Sequence, residues 1–167
     1  MIPKWWKRSL RKKVRLKGGK RRKYLMIVDT GVLIEYINEA GTYHEKVKKL
    51  IESYTPLYVT PITLSEVLYV SYRVYITAGL SNANNYAKEF VEWLSAKLKV
   101  TEINHEIVIK AGEIKKKYGI ALPDCYVIAT ADYLKDKALF KREKEIVQVL
   151  DEIRKEFGDI ISFIDEI

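Results

Sequence analysis

The sequence predicts an α/β fold: a three-layer α/β/α sandwich on a central, mostly parallel sheet of about five strands. Three observations lead there. Short apolar runs alternate with longer segments of helical periodicity, the pattern of strand–helix–strand units. The first run, "YLMIV" (24–28), is apolar without alternation, as in a strand covered on both faces. And 48% of the 167 residues are hydrophobic, enough for one domain with its own core.

The elements follow in order. After the first strand, Gly31 to Glu39 reads as a short helix ending near Gly41. The segment 43–54 sets Val47, Leu50 and Ile51 on one helical face, and "LYVT" (57–60) is a second strand stopped by Pro61. A helix over 63–76 carries Leu64, Val67, Leu68 and Tyr75 at helical spacing and ends near Gly79. Ser81 is the expected cap of the next helix, and "VTEI" (100–103) the third strand. A helix over 105–119 is closed by Gly119. An apolar helix spans 124–136, "ALF" (138–140) is the fourth strand, 144–158 is amphipathic, and "IISFI" (160–164) is the fifth strand.

The net charge of +8 is unevenly spread. Residues 1–23 hold 12 Lys/Arg and no acid, which leaves the rest at −4. That asymmetry divides the chain into a basic N-terminal extension, 1–25, and a folded body, 26–167. The extension is either an arm that neutralises nucleic-acid phosphates, with Trp5 and Trp6 to stack on bases, or an appendage preceding a start at Met26. No run approaches the roughly 18 apolar residues of a membrane span. The lone Cys125 excludes an internal disulfide framework and fits a reducing, cytoplasmic interior.

Four acids occupy positions where an α/β sheet binds ligands, beyond the carboxyl ends of its strands. Asp29 ends the first strand, Glu66 lies early in the helix after the second, Asp124 opens the apolar helix, and Glu143 follows the fourth strand. Each has a plainer role. Asp29 could cap the helix at Thr30, Glu66 could complete a Thr63-x-x-Glu66 capping box, Asp124 could complement a helix dipole, and Glu143 could be surface charge. Gathered at one edge, they would repel one another, and a divalent cation would resolve the repulsion. All-oxygen ligands suit Mg²⁺ or Mn²⁺; His44, His105 and Cys125 offer no zinc spacing. Cys125 reads as a core filler, and Asp132 and Asp136 as solvated helix acids. Tyr69, Tyr72 and Tyr75 read as a packing or dimer face.

Four segments, "MIVDTGVLIEY" (26–36), "TLSEVLY" (63–69), "ALPDCYVIATA" (121–131) and "ALFKREKE" (138–145), resemble the PIN domain, particularly VapC-type ribonuclease toxins. The resemblance covers roughly residues 26–164 and sets the family's acids on Asp29, Glu66, Asp124 and Glu143. It implies a metal-dependent endoribonuclease that hydrolyses RNA, forms a homodimer and is restrained by a small antitoxin protein. Asp29 and Asp124 would bind the principal Mg²⁺ or Mn²⁺. Glu66 would position a water or share that ion, and Glu143 would help to hold a second one. Thr30 would donate its hydroxyl to a carboxylate or to the substrate phosphate, and Arg142, with Lys141, would contact phosphate. Two positions depart from the pattern: Glu143 stands where aspartate is commoner, with Glu145 as its rival, and Gly31 stands where many members carry a polar side chain.

Other chemistries fit less well. A haloacid-dehalogenase-type phosphatase needs a second aspartate where Gly31 stands, and a receiver domain needs an acidic pair that Asp29 lacks. A PIN-type nuclease in ribosomal RNA processing, or an RNA-binding assembly protein with a degraded site, remain the alternatives.

Overall fold

The computed structural model describes residues 25–53 and 56–167. The expectations for residues 1–24, and for Tyr54, lie outside the described residues. Five strands form one parallel sheet: β1 (Met26–Val28), β2 (Leu57–Val59), β3 (Lys99–Val100), β4 (Lys137–Phe140) and β5 (Ile161–Phe163), in the order β3-β2-β1-β4-β5. The register places Ile27 opposite Tyr58 on one side and Ala138 on the other. The chain runs outward from β1 to β2 and β3, then crosses over to β4 and β5. The order therefore reverses between β1 and β4, and that reversal opens a crevice beyond their carboxyl ends.

Among the described residues seven α-helices cover the sheet: α1 (Thr30–Ile34), α2 (His44–Glu52), α3 (Pro61–Thr77), α4 (Ala83–Lys97), α5 (His105–Tyr118), α6 (Leu122–Leu134) and α7 (Lys144–Phe157). Side-chain alternation along the strands divides the core in two. Ile27, Ala138, Phe140, Ile161 and Phe163 pack with Ile107, Ile128 and Ile153 of α5, α6 and α7. Val28, Val59 and Leu139 face the other way, onto Val32, Leu33, Val47, Val67 and Leu94 of α1 to α4. Phe140 and Phe163 are almost wholly buried, each such side chain contributing about 1.5–3 kcal/mol. No described helix is long and apolar enough to cross a membrane.

Several expected boundaries shift, each for a local reason. Helix α1 stops at Ile34 rather than Glu39, because Tyr36 and Ile37 donate to the carbonyls three residues back and tighten the chain into turns. Helix α3 starts at Pro61, not residue 63: Pro61 fills the first helical turn, where its missing N–H costs nothing, and Thr60 is the cap. Helix α4 is preceded by Asn82 rather than Ser81, with no side-chain cap bond. Helix α6 begins at Leu122, with Pro123 in its first turn. Strand β3 is only two residues, Lys99–Val100; Thr101 still donates its N–H to the Val59 carbonyl of β2, and residues 101–103 of the expected strand carry no strand geometry. The fifth strand ends at Phe163, where Ile164–Glu166 turn into a 3₁₀ helix. Helix α5 closes at Gly119, whose φ of 72° is left-handed.

Candidate functional site

The crevice between β1 and β4 is where the acids meet. The backbone N–H of Asp29 donates to the Leu139 carbonyl at 3.0 Å, which ties the exit of β1 to the end of β4. Its side chain caps α1, with Oδ2 accepting from the Gly31 N–H at 2.9 Å. The cap uses only one oxygen. Asp29 is 5% exposed, and its Oδ1 is buried with no hydrogen-bond donor as long as Asp124 is ionised. A buried acceptor in that state costs on the order of 1–3 kcal/mol unless a ligand meets it.

Thr30 lies beside it, equally buried, and donates its hydroxyl to Glu66 Oε2 at 2.6 Å. The capping-box role for Glu66 is thereby excluded: the Thr63 N–H donates to Thr60 Oγ1, and the Glu66 carboxylate points instead at α1. Asp124 sits in the first turn of α6, near the same edge. Glu143 takes the N-cap position of α7 but makes no capping bond. Its Oε1 instead lies over Gly31, where an added Cβ would be 2.7 Å from it and 3.3 Å from Asp29 Oδ2.

Electrostatics register the crowding. Burial pushes Asp124 up to about 8, with the charges of Asp29 and Glu66, a hydrogen bond that protonated Asp124 makes to the Asp29 carboxylate, and the charge of Glu143 adding to it. Burial likewise raises Asp29 to about 6; the N–H groups of Gly31 and Thr30 pull it back, and Glu66 and Glu143 push it further up. Glu143 is exposed overall, yet partial desolvation of its carboxyl raises it too, against the pull of Lys141. Among the described residues no three acidic, histidine or cysteine side chains already close on one point. A small hard cation needs less than that, since Mg²⁺ keeps several waters and takes one or two carboxylates. The orphaned Asp29 Oδ1 beside the raised Asp124 fits such an ion, and the all-oxygen set fits Mg²⁺ or Mn²⁺ over zinc.

The structure thus brings Asp29, Thr30, Glu66, Asp124 and Glu143 together. Arg142 turns elsewhere: its Nε and Nη2 donate to Asp165 at 2.9 Å and Glu166 at 2.6 Å, and its guanidinium stacks 4.2 Å from the centre of the Phe163 ring. Lys141 is also engaged, with its Nζ 2.6 Å from Glu35 Oε1. Glu35 has no role in the sequence reading, although it is 3% exposed and also accepts from the Tyr43 N–H. An acid inside the apolar run "VLIEY" was the signal that could have found it. Cys125 is buried, its thiol pushed up to about 11 by burial and by Asp124, an inert filler. Asp132 pairs with Lys110 and Lys135 rather than standing solvated. Tyr69 and Tyr72 stay exposed instead of packing, while Tyr75 meets Tyr86 edge-on at 5.9 Å.

A parallel sheet reversing between β1 and β4, with carboxylates converging on that crevice, defines a class of acid-lined α/β domains suited to a hard cation. The chain belongs to the PIN-domain family, whose profile matches residues 26–156. It is similar to Ribonuclease VapC6 of Methanocaldococcus jannaschii, with 25% identity over 148 residues, covering 78% of this chain and 97% of that protein. Its fold is like that of DNA-bound VapBC from Salmonella typhimurium, at a TM-score of 0.59 and 16% identity, covering 84% of this chain and 98% of that one. It is also like VapBC2 from Rickettsia felis bound to a promoter DNA fragment, at 0.54 and 13%, covering 83% and 98% respectively.

Proposed function

We propose that this protein is a Mg²⁺- or Mn²⁺-dependent endoribonuclease that hydrolyses RNA phosphodiester bonds, and that it is the toxin of a toxin–antitoxin pair. The observation that carries the chemistry is the buried, unpartnered Oδ1 of Asp29 among carboxyls whose protons are held above their ordinary range. Asp29 and Asp124 would hold the cation. When bound, it supplies charge stabilisation at the phosphate and makes water easier to ionise. Glu66, fixed by Thr30, would orient the attacking water, and Glu143 would complete the negative rim. The Gly31 N–H holds Asp29 Oδ2 in the helix cap, which leaves Oδ1 as the oxygen for the ion.

The toxin assignment draws on the name of the 25% identical relative, a ribonuclease, and on structural neighbours that are toxin–antitoxin complexes. An exposed apolar strip of Tyr69, Tyr72, Ile76 and Leu80 offers surface that a second copy or an antitoxin would cover. The deciding experiment is cleavage of RNA by the purified protein with Mg²⁺ or Mn²⁺, with excess chelator, and with Asp29→Asn. Cleavage that needs both the ion and Asp29 is expected; cleavage that survives chelator and substitution alike ends the metal reading.

A further inference from the structure

Gly31 has no conformational reason to be glycine. It is the second residue of α1, its φ is not left-handed, and glycine inside a helix costs about 0.5–1 kcal/mol relative to alanine. What distinguishes the position is space. An added Cβ would sit 2.7 Å from Glu143 Oε1, inside any normal contact, and 3.3 Å from Asp29 Oδ2. The backbone of Lys141 to Glu143 leaves β4 at the other side of the crevice, so a carboxyl there has to reach inward to join Asp29. Glutamate has one methylene more than aspartate for that reach, and its carboxylate ends in the volume that a side chain at position 31 would fill.

We propose that Gly31 and Glu143 form a matched pair: the bare glycine is the seat of the Glu143 carboxylate, and Gly31 is a positioning residue for that acid and, through it, for cation affinity. The consequence for the cation rests on the function proposed above; the pairing itself does not. The atom displaced by a new Cβ is the end of a flexible, exposed side chain, so Gly31→Ala should fold normally while pushing the carboxylate out.

The test titrates Mn²⁺ into the full chain, following free Mn²⁺ by electron paramagnetic resonance, in the wild type, Gly31→Ala, Glu143→Ala, Gly31→Ala with Glu143→Ala, and Gly31→Ala with Glu143→Asp. Gly31→Ala is expected to weaken binding roughly tenfold. It should change nothing once Glu143→Ala has removed the displaced group, and the shorter aspartate should recover part of the loss. An equal loss in the wild-type and Glu143→Ala backgrounds, or no loss at all, overturns the pairing. Asp29→Asn separates the two ideas. If it binds Mn²⁺ as the wild type does, the proposed function fails. The pairing is then decided on metal-free protein by the ¹³C resonance of the Glu143 carboxyl, which moves in Gly31→Ala if the seat is real and stays put if it is not.

Discussion

The Thr30 hydroxyl donates to Glu66 Oε2 at 2.6 Å across 36 positions of sequence, joining the start of α1 to the second turn of α3. Thr30 is 6% exposed, so the bond forms where water competes poorly, and a hydrogen bond to a charged acceptor there is worth about 1.5–3 kcal/mol. Its effect is directional: it holds one Glu66 oxygen at the wall and leaves the other free.

Thr30→Val keeps the shape and removes the donor. RNA cleavage is expected to fall roughly 10- to 100-fold, the usual cost of losing a group that orients a carboxylate at a metal site. Thr30→Ser, which restores the hydroxyl, should recover most of it. Initial-rate assays on the three proteins decide the matter, and equal rates would remove Thr30 from the site.

The raised acids set the sign of a pH effect. Asp29 lies near 6 and Asp124 near 8 in the fold, against an ordinary 3.8. Between those values the folded chain holds more protons than the unfolded chain, so stability must fall as pH rises. The contribution is complete below the unfolded value and is lost as pH climbs through 6 and then 8. In chelator, urea denaturation should therefore show a loss on the order of 5 kcal/mol between about pH 5 and pH 8, most of it from Asp124. Asp124→Asn should flatten that slope and make the metal-free protein more stable at the alkaline end. A metal-free protein that gains stability over this interval would show that the carboxyls are not crowded.

Cation binding should oppose that trend. The ion requires deprotonated carboxylates, so its binding releases protons and strengthens with pH. Added Mn²⁺ is expected to raise the melting temperature more at about pH 8 than at about pH 5.5. At a hundredfold excess over the dissociation constant the stabilisation is about 2.7 kcal/mol. Asp29→Asn should abolish the difference between the two curves, which differential scanning fluorimetry can read directly.

How much of this was legible in the sequence depended on the range of the interaction. The unbroken apolar run before Asp29 marks a two-faced strand, and the covered β1 is one. Gly119 as the stop of α5 is equally local. The capping-box reading of Thr63 and Glu66 failed because Thr60 and Pro61 supply a better helix start two residues earlier, freeing Glu66 to look across the crevice. The strand order, which creates the crevice, is set by which apolar faces pack together and is written in no single segment. Glu35 stood out only as an acid in an apolar run; its partner was not legible, because that cation lies 106 residues away.

That pair carries the last prediction. Glu35 is almost completely buried just past the end of α1, while the partly exposed Lys141 reaches it from the loop between β4 and Glu143. The Tyr43 N–H also donates to the Glu35 carboxylate, and His44 Nδ1 lies 3.1 Å from the Glu35 backbone carbonyl, so Lys141 and the 43–44 turn both fasten this residue. Removing the lysine strands a buried charge, and that is costlier than never having had the pair. Lys141→Met should destabilise the fold by roughly 1–3 kcal/mol. Adding Glu35→Met removes the stranded charge and should return part of the loss, a coupling measurable as a double-mutant cycle in urea. Cleavage should fall in Lys141→Met by more than the stability change explains at a temperature where the protein is fully folded, because the 141–143 segment that presents Glu143 has lost its anchor. If the double variant is no more stable than Lys141→Met alone, the ion pair is surface ornament and the anchor lies elsewhere.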